Sequence, residues 1–101
     1  MAVAMRLSWA GITPEQYEEA RERVGWERDV PEGAIFHAVL FDDEGAQVGD
    51  VWESEELFQK FAEQRLMPVI QGMGIETEPQ IRIQQLYGTF NAQLAAQRVG
   101  A

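Results

Sequence analysis

The chain has 101 residues, a formal net charge of −9 and a hydrophobic fraction of 46 %. That length suits one domain with a thin core. The charge disfavours nucleic acid or an anionic membrane as partner, and zero cysteines with one histidine exclude disulfides, thiolate catalysis and Cys- or His-rich metal sites.

Residues 2–9 alternate: Val3, Met5, Leu7 and Trp9 fall on one face, and Ala4, Arg6 and Ser8 on the other. A period of two predicts a strand. Thr13-Pro14-Glu15-Gln16 then opens a helix, with Thr13 as N-cap, Pro14 at the first helical position and Gln16 completing a capping box. Tyr17, Ala20 and Val24 form its apolar stripe, the acids face water with Glu19 pairing Arg23, and Gly25 stops it.

Pro31-Glu32-Gly33 signals a turn. Residues 34–41 are apolar on both faces, which predicts a strand covered on both sides. Residues 42–45 make a hairpin loop, with Gly45 suited to a positive φ, and residues 47–53 return as a strand. Ser54 followed by Glu55 and Glu56 is a good helix start, since the hydroxyl caps free N–H groups and the acids suit the positive end of the dipole. Pro68 is expected to kink or interrupt this second helix, which Gly72 and Gly74 end. A last strand runs from Gln80 to Tyr87, and residues 88–101 form a tail or short helix.

The order β-α-β-β-α-β is the split βαβ, or ferredoxin-like, α+β arrangement: two helices on one face of a four-stranded antiparallel sheet. The other sheet face would stay wet and partly apolar, and a second copy is the simplest cover, so a C2 homodimer is expected. No signal peptide or membrane span is visible, and the expected location is the cytoplasm.

His37 is the one imidazole and lies in the apolar strand, in phase with Ile35, Val39 and Phe41. It reads either as a general base facing a cavity or as a packed histidine bonded to a neighbouring strand. If residues 47–53 pair with 34–41, His37 comes near Asp50, and that contact would fix its tautomer and raise its basicity. Asp50 and Trp52 share a face. Trp52, Tyr87 and Phe36 are the candidates for contact with a bound molecule; Trp52 and Tyr87 read equally as packing residues. Arg6, Arg82 and Gln84 lie on strands and read as solvent-facing or interface residues.

Asp50-Val51-Trp52-Glu53-Ser54, with Phe58, Phe61 and Arg65-Leu66-Met67-Pro68 downstream and residues 30–37 upstream, resembles the dimeric α/β-barrel superfamily. The likeness is to bacterial relatives of the antibiotic-biosynthesis monooxygenase domain, over roughly residues 3–88. The resemblance implies the fold and the dimer. Haem-degrading members use a histidine on the second helix, where this chain has Phe61, so that ligation is not expected. Quinone-forming members need neither metal nor flavin, and no cofactor is expected here.

Two functions follow. The first is a dimeric scaffold that binds a small apolar or aromatic molecule without catalysis, favoured because one base and no complete catalytic set are present. The alternative is a cofactor-independent, monooxygenase-like enzyme acting on an aromatic or polyketide-type substrate with His37 as base. An enclosed cavity containing His37 separates the second from the first.

Overall fold

The computed structural model describes residues 2–90. Its elements are β1 (Val3–Ala10), α1 (Pro14–Val24), β2 (Ala34–Phe41), β3 (Gly45–Trp52), α2 (Glu55–Phe61), a π-helical turn (Ala62–Leu66), α3 (Met67–Gly72) and β4 (Gln80–Gln85). The four strands form one antiparallel sheet in the order β2-β3-β1-β4. This is the ferredoxin-like βαββαβ arrangement. The central pair, β3 and β1, are joined by the register Met5 to Asp50 and Leu7 to Val48, which puts Val3, Met5, Leu7, Trp9, Ala46, Val48, Asp50 and Trp52 on one face.

That face is the core. Met5, Leu7, Trp9, Ala46 and Trp52 are buried there against Ala20 of α1, Phe58 of α2 and Ile70 of α3. Trp52 packs its ring edge-on to Phe58, with centroids 5.5 Å apart. A buried aromatic of this size stabilises by about 3–5 kcal/mol relative to alanine.

Each helix start is set by local chemistry. Thr13 accepts from the Gln16 backbone N–H at 3.1 Å while the Gln16 side chain accepts from Thr13 N at 3.0 Å. Ser54 accepts from Leu57 N at 3.2 Å. Gly25 ends α1 at φ 70°, in the left-handed region that spares glycine the Cβ clash. Gly45, at φ 145°, begins β3, and a Cβ there would meet the Trp9 carbonyl oxygen at 2.3 Å.

Three expectations need correction, and a fourth is sharpened. β2 is not covered on both sides: it is an edge strand, and Ile35, Phe36 and Leu40 are 56, 57 and 59 % exposed. The apolar pattern therefore marks a surface that the single chain leaves exposed. The register slips between Ala34 and Phe36, so Ile35 sits in a bulge rather than in phase with His37. The interruption expected at Pro68 takes a specific form. The turn before it widens to π geometry over Ala62–Leu66, and α3 continues to Gly72. A wider turn relieves the ring clash and the missing N–H that proline imposes on the residue four back. Finally, β3 starts two residues earlier than expected, at Gly45, and β4 ends at Gln85, short of Tyr87. The expected tail lies outside the described residues from position 91 onward.

Candidate functional site

Between the helices and the sheet lies a cavity of about 250 Å³. Its walls are mostly apolar: Met5, Leu7 and Trp9 of β1, Trp52 of β3, and Phe58 and Phe61 of α2. Polar groups gather on one side, where Tyr17 of α1 meets His37 of β2 and Asp50 of β3.

The hairpin register places His37 opposite Asp50. His37 Nδ1 lies 2.7 Å from Asp50 Oδ1. Asp50 Oδ2 accepts from Trp52 Nε1 at 3.0 Å. A carboxylate only accepts, so Nδ1 carries the proton and donates it, leaving the Nε2 lone pair free to accept. That lone pair meets the Tyr17 hydroxyl at 2.7 Å. The result is one hydrogen-bonded chain: Trp52 to Asp50, His37 to Asp50, and Tyr17 to His37. The Asp50 side chain is 9 % exposed and that of His37 34 %. The carboxylate is thus nearly dry with both oxygens engaged, while the imidazole keeps an accessible edge.

Aromatic rings frame the imidazole. Tyr17 lies parallel to it, 4° between planes and 6.0 Å between centroids, and Trp26 tilts against it at 5.5 Å. Burial raises the Tyr17 phenol above its ordinary value of 10.0; the Arg21 guanidinium pulls it down, and the Glu18 and Asp50 carboxylates push it up. At neutral pH Tyr17 is therefore a proton donor to Nε2. α1 is anchored at its far end, where Arg65 donates to the Val24 carbonyl at 3.1 Å and stacks over Phe61 at 5.5 Å.

Of the residues singled out in the sequence, His37, Asp50 and Trp52 are brought together in the cavity wall. Phe36 lines the same cavity but is half exposed at its rim. Tyr87 is elsewhere: it follows β4, is fully exposed and does not line this cavity. Strand β4 ends at Gln85, and among the described residues the last backbone bond to the β1 side is Leu86 N–H to the Ala2 carbonyl at 2.9 Å, so Tyr87 lies beyond the strand. Tyr17 and Trp26 belong to the site and read from sequence only as stripe and packing residues. Their signal was weak: a tyrosine on a helical apolar stripe has its hydroxyl to place, and a half-buried tyrosine normally finds a partner for it.

Among the described residues no group of three or more His, Cys, Asp or Glu side chains is placed to hold a metal ion. No helix among them is long and apolar enough to cross a membrane.

No protein-family model matches the chain, and no curated protein is significantly similar in sequence. Similarity appears at the level of structure. A variant of SnoaB, a cofactor-independent oxygenase from Streptomyces nogalater, superposes with a TM-score of 0.61 at 14 % identity, over 88 % of this chain and 95 % of that one. A Chloroflexus aurantiacus protein provisionally assigned as an antibiotic biosynthesis monooxygenase gives 0.59 at 14 % identity, over 89 % and 96 %. A protein of unknown function from Nitrosomonas europaea gives 0.59 at 13 % identity, over 89 % and 92 %. At these identities the likeness is one of fold: the chain shares the ferredoxin-like βαββαβ fold of these structures.

Proposed function

We propose that this protein binds a small phenolic aromatic compound in the cavity and removes its hydroxyl proton with His37, preparing it for direct reaction with oxygen. One observation carries the reading: the only imidazole, oriented by a nearly buried carboxylate, forms part of the wall of an apolar aromatic cavity. A packed and sealed His37 would have favoured the non-catalytic scaffold. The fold likeness to a cofactor-independent oxygenase points the same way.

The chemistry follows from the donors. Asp50 holds the Nδ1 proton and favours the imidazolium that forms when Nε2 takes a proton. A phenolic hydroxyl in the cavity would replace the Tyr17 hydroxyl at Nε2. Its phenolate is an electron-rich ring that can reduce oxygen itself. In the balanced reaction, phenol plus O2 gives quinone plus water. One oxygen atom forms the new ring carbonyl, and the other leaves as water with the hydrogens lost from ring carbon and hydroxyl. The apolar walls exclude water that would quench the intermediate. The volume, below the ~300–1,000 Å³ of drug-sized pockets, selects mono- or bicyclic compounds.

The open sheet face is read as the surface for a second copy, because Phe36 and Leu40 stand exposed on it. Phe36 also lines the rim of the cavity, so a second copy seated there would lie next to its mouth.

Oxygen uptake with dihydroxynaphthalenes as substrates tests the reaction. The expected result is uptake with the wild type and a loss of at least ~100-fold in His37→Ala. Binding of the same compounds with no uptake would return the protein to the scaffold reading.

A further inference from the structure

The open face of the sheet holds a second feature, independent of the cavity. Arg6 of β1 and Arg82 of β4 are direct cross-strand partners, so both side chains rise from this face side by side. Like charges opposite each other repel and destabilise a sheet. Neither arginine has an ion-pair partner among the described residues. The strand positions facing this side include no carboxylate at all, although the chain has 17 acidic residues. On β1 and β4 the remaining side chains are Ala4, Ser8, Ala10, Gln80 and Gln84; on β3 they are Gln47 and Val51. Two exposed guanidiniums side by side, with no carboxylate on the same face, make a local cationic patch in an otherwise acidic protein.

The surroundings suit an anion. Both arginines line an open groove of about 740 Å³. Ser8, Gln47 and Gln80 line it too, and can donate hydrogen bonds. At its other end, on β2, the groove is lined by Ala38, Val39 and Leu40. A cationic end and an apolar end in one groove match an organic phosphate: the phosphoryl oxygens in the paired Arg forks, the carbon skeleton along β2. Guanidinium pairs fit the several oxygens of a phosphoryl group better than a lone lysine would.

We propose that Arg6 and Arg82 form an oxyanion site for a phosphoryl group on the open face of the sheet. If two copies pair through this face, four guanidiniums are enclosed together, and the anion then sits between the copies and strengthens their association.

The test is thermal unfolding and calorimetric titration of the full chain with inorganic phosphate and phenyl phosphate, against chloride at matched ionic strength. The expected result is saturable binding, a phosphate-dependent rise in melting temperature, and tighter binding of phenyl phosphate than of inorganic phosphate. Arg82→Gln should melt higher than wild type in chloride, because the repulsion is relieved, yet lose the phosphate-dependent rise and bind at least ~10-fold more weakly. Arg6→Gln should behave alike, and Arg82→Lys should retain part of the binding. Phosphate stabilisation no greater than chloride's would overturn the proposal. So would phosphate binding that survives in the Arg6→Gln, Arg82→Gln double variant, or an Arg82→Gln that melts lower in chloride, which would reveal a structural partner for the arginine.

Discussion

At the scale of single residues, the chemistry rests on who holds which proton. Asp50 accepts two N–H groups and so keeps His37 Nε2 as the free acceptor. Asp50→Asn should keep the fold but lose the fixed Nδ1–H tautomer, because an amide can donate as well as accept, and oxygen uptake should fall about tenfold or more. Tyr17→Phe removes the hydroxyl that competes for Nε2. It should tighten phenol binding; weaker binding would mean that Tyr17 relays the proton instead. The same variant has a pH signature. The folded phenol titrates above 10.0 because burial disfavours its charged form. Its stabilising contribution is thus fully present below that pH and disappears as pH rises through the folded value. Urea melts should show wild type losing stability at strongly alkaline pH faster than Tyr17→Phe; parallel losses would contradict the assignment. The His37–Asp50 contact was legible in the sequence because a short hairpin loop dictates its register. Tyr17 was not, because its meeting with His37 depends on how α1 lies across the sheet, which no local pattern encodes. Tyr87 lies outside the cavity of the single chain because alternation past Ile83 reads as strand, while β4 itself ends at Gln85 opposite Val3.

At the scale of elements, boundaries were set by caps and turns, and these were the most readable part of the chain. The capping box at Thr13 and Gln16 and the Ser54 cap formed as expected. Thr13→Ala should cost ~1 kcal/mol in urea denaturation. Gly45→Ala should cost ~1–3 kcal/mol or more, since the backbone sits at φ 145° and a Cβ would strike the Trp9 carbonyl. Gly72→Ala is the control: it has open space and no positive φ, so it should be neutral or stabilise α3 by ~0.5–1 kcal/mol. Equal effects at the two glycines would show that the hairpin approach is not as tight as described. The π-helical turn escaped the sequence reading because proline says only that regular helix is disfavoured, not whether the chain will break, bend or widen.

At the scale of the whole molecule, the two sheet faces divide the labour. The helix face encloses the cavity and its His37–Asp50 pair. The open face carries exposed Phe36 and Leu40 beside the two arginines. Light scattering should give about twice the chain mass of 11.4 kDa; a monomer at micromolar concentration would contradict pairing through that face. An apolar run pointed to a strand needing cover on both sides, and a second copy was the cover expected for the open face; that the strand lies at the sheet edge depends on the pairing order, which the run does not encode. The central claim, that His37 takes a proton from a phenol bound in the cavity, is tested most directly by para-nitrophenol absorbance at a pH where the free probe is mostly protonated. The account predicts that wild-type protein shifts the probe toward the yellow phenolate and that His37→Ala binds it without the shift. An unshifted spectrum in the wild type with binding proven by calorimetry, or the same shift in both proteins, would contradict it.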